Sequence, residues 1–240
     1  MVAVAYVEGP ERLRHERHAK ALHSTIAQLA AALAEGAAID DVLTKLISAS
    51  LALVSGADCA KISLIDNGRL RSIAATSQLI KSLDSAQQAA RHGPCLEAIS
   101  ARKAIRCDDL GTDVRWPRFA SHATTAGLHS VLSTPIDIPG DTGATLSLFG
   151  FRAGAFGAES ETLGAMLAKH AAIALINQRQ ERQFKAALAT RDVIGQAKGM
   201  IMERFGVDAT QAFAMLTAIS QDTNTPVRDV AARFVDSARR

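Results

Sequence analysis

The stretch "AKISLIDNGRLRSIAA", residues 60–75, decides the fold class. Apolar residues alternate with polar ones before the turn, as at Ile62 and Leu64, and the alternation resumes after it. The turn itself is Asp66-Asn67-Gly68, and an Asn-Gly pair between two alternating runs is the strongest short-range signal for a β-hairpin. The sequence therefore predicts two antiparallel strands here.

The flanking sequence predicts helices around further strands. Two strand-like runs, "SVLSTPIDI" and "ATLSLFGF", lie on either side of a Pro-Gly-Asp-Thr-Gly turn at 139–143. Helices are predicted between Asp40 and Gly56, over 81–90 and from Pro94. We therefore expect residues 38–178 to form an α+β domain in which helices flank a mainly antiparallel sheet.

A long helix is predicted from Glu159, because the first strong helix breaker after it is Gly206. One unbroken heptad register runs through it and has two core positions. The first is occupied by Ile173, Ala187, Ile194 and Ile201. The second is occupied by Asn177, Phe184, Arg191, Lys198 and Phe205. A heptad repeat with two core positions is typical of a coiled coil. We expect the helix to join two copies of the chain; the alternative is a monomeric helix that packs on the sheet domain.

The N-terminal region, residues 1–37, predicts a second narrow seam. Apolar residues recur at spacings of three and four over residues 11–35, and Gly36 ends the run. We expect this helix to serve dimerisation or signalling.

After Gly206 the sequence predicts two more helices. Asp208 and Gln211 have the spacing of a capping box, which starts the first of them. Thr225 followed by proline is typical of an N-cap and first helical position, which starts the second. The apolar face expected to form the core of this bundle contains Ala212, Phe213, Leu216 and Ile219.

Composition narrows the function classes. The 240 residues are 48% hydrophobic and 21% charged, which is typical of a globular protein, and a net charge of +3 is too small to indicate nucleic-acid binding without a local patch. No apolar run reaches the ~20 residues that span a bilayer. The N-terminus lacks the basic region of a signal peptide, and three irregularly spaced cysteines argue against a disulfide framework. We therefore expect a cytoplasmic protein.

The C-terminal segment "RDVIGQAKGMIMERFGVDATQAFAMLTAIS", followed by "TPVRDVAARFV", resembles an ANTAR domain over about residues 191–235. The Gln196-Ala197-Lys198-Gly199 segment makes the resemblance specific, because a generic three-helix bundle would share only the apolar positions. Thr217 departs from the pattern, which often has an arginine there. The resemblance implies an RNA-binding output of a transcription antitermination regulator, with paired RNA hairpins in mRNA leaders as its target.

The preceding region resembles a GAF domain of the actinobacterial kind over roughly residues 38–178. The motifs that carry this resemblance are "GPCLEAI", "WPRFA" and "VLSTPI", which occur in the family's order. The resemblance implies a sensory module that binds a small ligand or mediates dimerisation. Residues 179–240 would then form the stalk helix and the RNA-binding domain, and the whole chain would be a homodimeric signal-transduction protein.

Five residues of the Ala-Lys-Gly region are the candidates for RNA contact: Arg191, Gln196, Lys198, Gly199 and Arg204. On a helical wheel one apolar sector contains Ala197, Ile194, Ile201 and Phe205. Lys198 and Arg191 lie at one border of this sector, and Arg204 lies just beyond the other. Gly199 faces away from the sector. Cations suit phosphates, and a mid-helix glycine suits the close approach of another backbone. The segment from residue 183 has eight basic and six acidic residues, so we expect binding by shape and by two copies.

Candidate ligand contacts in the sensory domain are Cys95, Trp116 and Phe119. Cys95 follows a Gly-Pro turn at a predicted helix start, where the helix dipole favours a thiolate, but a small buried hydrophobic residue is the commoner role. The Trp116–Phe119 segment lines a pocket or, more often, fixes a loop to the core. His92, His122 and His129 match no standard metal motif.

No catalytic constellation, metal site or cofactor is predicted, and we expect no enzyme activity. Two other functions remain open. The first is a DNA-binding regulator that uses the last two helices as a helix-turn-helix, although "TPVRDV" offers little beyond Arg228 to read base edges. The second is a thiol-based redox enzyme centred on Cys95.

Overall fold

The hairpin predicted at residues 60–75 is present in the computed structural model of the chain. The structure describes residues 37–140 and 143–237, together with Ser24, Ala27 and Ala31. Apart from those three residues, the predicted N-terminal helix lies outside the described residues, and so does its expected role in dimerisation.

Five antiparallel strands form one sheet in the order β2-β1-β5-β4-β3. The strands are β1 (Cys59–Asp66), β2 (Arg69–Ala75), β3 (Ile105–Cys107), β4 (Ser130–Ile136) and β5 (Ala144–Gly150). Asn67 and Gly68 both have a positive φ, 50° and 75°, as the tight type I′ hairpin turn requires. The alternating pattern and the Asn-Gly turn therefore predicted the β1–β2 hairpin correctly.

Seven helices are described besides the three N-terminal residues. They are α1 (Ile39–Leu53), α2 (Gln78–Ala90), α3 (Pro94–Ala101), α4 (Pro117–Thr125), α5 (Ala158–Phe205), α6 (Ala209–Asp222) and α7 (Val227–Ser237). Helix α2 begins three residues before the predicted residue 81, because the Ser77 hydroxyl accepts a hydrogen bond from the Ile80 amide and caps it.

The chain divides into two compact units, Met1–Asn177 and Gln178–Arg240, which we call the sheet unit and the helical unit. The division falls within α5. None of the helices in the described part of the chain is long and apolar enough to cross a membrane.

Apolar side chains cover both faces of the sheet. On one face, α1 and the part of α5 before residue 178 pack against residues such as Ile62 and Leu146. On the other face, α2 and α4 contribute Leu83 and Phe119 to a second cluster around Phe149. Full burial of one such side chain stabilises the fold by about 1.5–3 kcal/mol relative to leaving it exposed. These two layers confirm the predicted α+β architecture.

In the helical unit, local signals fix the helix boundaries. Gly206 adopts φ 64° and ends α5. The Asp208 carboxylate accepts hydrogen bonds from the Thr210 and Gln211 amides, and the Gln211 side chain accepts one from the Asp208 amide. The predicted capping box is therefore present and starts α6.

The predicted N-cap of the last helix is wrong by one residue. Helix α7 begins at Val227, and the Pro226 carbonyl accepts the hydrogen bond from the Val230 amide. The Thr225 hydroxyl instead donates to the Thr223 carbonyl, 3.2 Å away, so it caps nothing.

The core of the helical unit is smaller than predicted. Its buried members are Ala197, Ile201, Ala212, Leu216, Val230, Ala231 and Val235. Phe213 and Ile219, which were expected on the core face, are 44% and 45% exposed, and Phe205 is 53% exposed. The helical period explains the two residues of α6: Ala212 and Leu216 are buried, whereas Phe213 is turned by about 100° from Ala212 and Ile219 by about 60° from Leu216 around the helix.

Candidate nucleic-acid interface

The candidate RNA-contacting residues lie on the outer surface of α5 in the helical unit. Arg191, Gln196, Gly199 and Arg204 are exposed, while Lys198 is half-buried beside the core residue Ala197. This is the placement that the helical wheel predicted for Gly199, which faces solvent. Their roles in binding stay predictions.

A surface groove of about 880 Å³ brings three of these five residues together. Arg191, Gln196 and Lys198 line it, and Gly199 and Arg204 do not. The remaining lining residues are Ala187, Thr190, Asp192, Ile194, Gly195 and Phe213. The groove therefore combines two cations, one carboxylate, one amide and an aromatic ring.

The aromatic member of the groove was missed from the sequence. The Lys198 ammonium lies 5.9 Å from the centroid of the Phe213 ring, so the two side chains join α5 to α6 at the surface. This distance is close to the limit of a cation–π attraction, about 6 Å. Apolar spacing assigned Phe213 to the core, and only its position one residue after the small core residue Ala212 hinted otherwise.

Two glycines leave the outer face of α5 open. At both Gly195 and Gly199, no atom lies within 4 Å of the position that a Cβ would take. A ligand can therefore approach the helix backbone more closely than other side chains would allow.

The cations of this face are available to a ligand. Within the described part of the chain, Arg191, Lys198 and Arg204 form no ion pair, in contrast to Lys185, which pairs with Glu181, and Arg228, which pairs with Asp229. Charge-assisted hydrogen bonds to phosphate are strong when the cation is not already paired. The face is thus equipped to bind an anion.

In the sheet unit, the candidate ligand contacts Cys95, Trp116 and Phe119 are all fully buried. The Cys95 amide donates to the Gln87 side-chain oxygen at 2.9 Å, and the Gln87 amide group donates to the Cys95 sulfur at 3.1 Å. Ser147 Oγ lies 3.1 Å from the same sulfur. The structure thus packs Cys95 inside a polar network and does not bring it together with Trp116 and Phe119, which belong to the apolar cluster on the same side of the sheet.

Trp116 has the contacts of a residue that fixes a loop. Its indole N–H donates to Glu97 at 2.9 Å, and the Arg115 guanidinium lies 4.1 Å from its ring centroid. Arg115 in turn pairs with Asp113, and this hydrogen bond lowers the pKa of Asp113 to about 2. The Trp116–Glu97 hydrogen bond therefore holds the loop before α4 to α3, and the contacts of Arg115 with Asp113 and Trp116 order the loop itself.

A buried polar layer under α2 and α3 was also missed. Lys61 on β1 donates to the carboxylate of Asp84 on α2, and both residues are buried. Asp84 also accepts hydrogen bonds from Ser63 and Ser72. Alternation along β1 shows that these polar residues share a face, but it does not show that helices cover that face.

Two of the thiols lack the properties of nucleophiles. Burial raises the pKa of Cys59, and burial together with a hydrogen bond to Asp113 raises the pKa of Cys107 to about 12. A thiol with such a pKa stays protonated near neutral pH. No group of three or more His, Cys, Asp or Glu side chains within the described ranges is placed to hold a metal ion.

The families of the two units follow from comparison with known proteins. The GAF domain family matches residues 36–176, and the ANTAR domain family matches residues 182–235. The chain belongs to the GAF domain family and has an ANTAR domain after its GAF domain. This is the architecture of a regulatory protein, in which GAF is a sensor domain and ANTAR is an RNA-binding antitermination output.

Solved structures share the fold of the sheet unit. The GAF domain of a phosphoenolpyruvate-protein phosphotransferase from Coxiella burnetii is 18% identical, with 69% of this chain and 96% of that chain covered and a TM-score of 0.54. Free methionine-R-sulfoxide reductase from Neisseria meningitidis, in complex with its substrate, is 14% identical, with 75% and 99% covered and a TM-score of 0.54. At these identities the likeness concerns the fold alone. None of the curated proteins compared with the chain matches it.

Proposed function

We propose that this protein is a transcription antitermination regulator whose ANTAR domain binds RNA stem-loops in mRNA leaders and whose GAF domain controls that binding. The observation that carries the proposal is the groove on α5, where Arg191, Gln196 and Lys198 converge. Cations beside the open positions at Gly195 and Gly199 suit a folded RNA backbone. A cytoplasmic location agrees with such a target.

Shape and valency have to supply most of the affinity. The segment from residue 183 has only two more basic than acidic residues, so a non-specific electrostatic term is small. Binding of two hairpins by two linked domains raises the overall affinity through effective concentration. The proposed complex therefore contains a homodimer and a pair of RNA hairpins.

The exposed part of α5 supports the dimer. Every residue from 179 to 189 is exposed, although the segment contains Phe184 and Leu188, which are 65% and 42% exposed. A helical segment with no packed face is marginal in water, and burial of these apolar side chains against a second copy stabilises it. Within this segment the heptad register places Phe184 and Ala187 at the seam.

Control by the GAF domain is proposed to pass along α5, which runs from Ala158 to Phe205. The candidate ligand contacts Cys95, Trp116 and Phe119 are buried, so a signal at these residues acts by displacing α3 or α4. Such a displacement changes the geometry of the dimer, and the paired ANTAR domains then hold two RNA loops in the antiterminated form.

The two alternative functions have weaker support. In a helix-turn-helix, α7 would read base edges from its start, but Arg228 there pairs with Asp229 at 2.9 Å. A thiol enzyme requires an accessible thiolate, and Cys95 is fully buried. The GAF-like fold of a known reductase does not change this, because fold alone does not carry function.

An electrophoretic mobility shift tests the proposal. The full chain is titrated into a pool of RNA stem-loops with randomised loops and, separately, into duplex DNA. We expect retention of a subset of the stem-loops by a dimer. Preference for the duplex would support the DNA-binding alternative and contradict the RNA proposal. Crosslinking of the protein to cellular RNA, followed by sequencing, then identifies the messages.

A further inference from the structure

Phe213 is an exposed aromatic ring with no core role. It is 44% exposed on α6, it lines the same groove as Arg191, Gln196 and Lys198, and the Lys198 ammonium lies 5.9 Å from its ring centroid. The groove joins this ring to two cations that form no ion pair with any described residue; the cations favour a polar ligand, and the ring favours a flat apolar one.

An unpaired nucleobase has both of these properties. Its flat π face stacks on an aromatic side chain, while the phosphates on either side of it meet cations. Bases within a duplex are stacked on each other and do not present a free face. The groove therefore fits a nucleotide from a loop or single strand better than it fits a helix.

We propose that one unpaired base of the bound RNA stacks on the ring of Phe213. In this arrangement Arg191 and Lys198 bind the adjacent phosphates, and Gln196 contacts the edge of the base. The inference rests on the proposed RNA-binding function and adds a specificity-determining residue to it. Gly195, which has no atom within 4 Å of its Cβ position, leaves room beside the helix for the ribose and phosphate.

The carboxylate of Asp192, which also lines the groove, limits what the groove accepts. It repels a phosphate and accepts hydrogen bonds from amino and imino groups, so it favours the base side of the nucleotide over the backbone side. The nucleotide is therefore oriented in the groove, with its phosphates toward the two cations and its base toward Asp192.

A second copy of the chain is the rival occupant of the ring. The charges argue against it, because burial of Lys198 and Arg191 in a protein interface requires carboxylates that pair with them. In that case Phe213→Leu would dissociate the dimer.

The test uses the full chain and a hairpin selected by the wild-type protein from a pool of RNA stem-loops with randomised loops. Each loop position in turn carries 2-aminopurine, whose fluorescence falls when it stacks on an aromatic ring. We expect quenching at one loop position with the wild type and its loss in Phe213→Leu, together with about tenfold weaker binding. Phe213→Trp is expected to keep both the quenching and the affinity.

Two controls separate stacking from folding and from charge. Ile219→Ala changes an equally exposed apolar residue of α6 that does not line the groove, and it is expected to bind as the wild type does. The steepness of the plot of log affinity against log salt concentration is expected to stay unchanged in Phe213→Leu. In Lys198→Gln the magnitude of this negative slope is expected to decrease by about 0.7–1, because one phosphate contact is lost.

The outcomes are distinct. If the wild type selects no hairpin, the proposed function fails, and the inference fails with it. If the wild type binds but Phe213→Leu binds equally well with the same quenching, only the stacking role is overturned. If Phe213→Leu instead dissociates the dimer in sedimentation, the ring belongs to a protein interface, which also overturns the inference.

Discussion

The ammonium of Lys61 and the carboxylate of Asp84 form an ion pair inside the GAF domain, where the Lys61 side chain is fully buried and the Asp84 side chain is 4% exposed. Lys61 belongs to the second strand from the edge of the sheet, and Asp84 belongs to the helix that covers it. Because Asp84 also accepts hydrogen bonds from Ser63 and Ser72, one carboxylate joins α2 to both strands of the first hairpin.

Loss of the Asp84 carboxylate is expected to destabilise the GAF domain strongly. Asp84→Ala leaves the buried Lys61 charge without a partner, so the free energy of unfolding should fall by about 3–5 kcal/mol. The double variant Lys61→Met/Asp84→Leu removes both charges and should recover much of this loss. Chemical denaturation of the wild type and these two variants measures the difference; a loss below about 1 kcal/mol in Asp84→Ala would show that the pair is not buried as described.

The loop before α4 is expected to give the protein a defined acid sensitivity. The Arg115 hydrogen bond lowers the pKa of Asp113 from 3.8 to about 2. A lowered pKa means that the ionised form stabilises the folded state, so this contribution is complete above about pH 4 and is lost as the pH falls toward 2.

Asp113→Asn is the matched variant for this effect. It should lower the free energy of unfolding by about 1 kcal/mol near neutral pH, since one charge-assisted hydrogen bond at a partly exposed site is lost. The difference from the wild type should shrink below about pH 4. Urea denaturation over this range is the measurement, and a difference that does not change with pH would refute the assignment.

The three cysteines are expected to be unreactive in the native protein. The pKa of Cys107 is raised to about 12 and that of Cys59 is also raised, while Cys95 is fully buried. Iodoacetamide near pH 8 should therefore label the folded chain far more slowly than it labels glutathione, and denaturant should release all three thiols. Rapid native labelling of Cys95 would reopen the thiol-enzyme alternative.

Gly199→Ala is expected to change stability and RNA binding in opposite directions. The site has room for a Cβ, and alanine in a helix is better than glycine by roughly 0.5–1 kcal/mol, so the variant should be more stable. If RNA approaches this face, the added methyl group should weaken its binding. Thermal unfolding and fluorescence anisotropy together measure both effects; a variant that is more stable and binds equally well would remove Gly199 from the interface.

The sequence predicted those features that short segments determine. The Asn67-Gly68 turn, the end of α5 at Gly206 and the capping box of Asp208 and Gln211 each depend on a few neighbouring residues, so single residue types identify them. The order of the strands in the sheet depends on contacts between distant parts of the chain, and the sequence did not predict it.

The features that the sequence missed depend on what packs from elsewhere. Phe213 has the apolar spacing of a core residue, but Ala212 and Leu216 are the residues of α6 that are fully buried. Lys61 alternates with apolar residues like a solvent-facing residue, but α2 covers it. In both cases periodicity gives the face of an element, whereas burial depends on which other element covers that face.

The most direct test of the account is the RNA affinity of Lys198→Ala, measured by anisotropy on a selected stem-loop, with circular dichroism and thermal unfolding of the same sample. Arg204→Ala serves as a second variant outside the groove. If Lys198 contacts the RNA, Lys198→Ala binds it about five- to tenfold more weakly while its helices stay folded, and Arg204→Ala is weakened to a smaller extent. If Lys198→Ala unfolds the ANTAR domain while the molecules that remain folded bind RNA as tightly as the wild type does, Lys198 is a structural residue and the proposed interface is wrong.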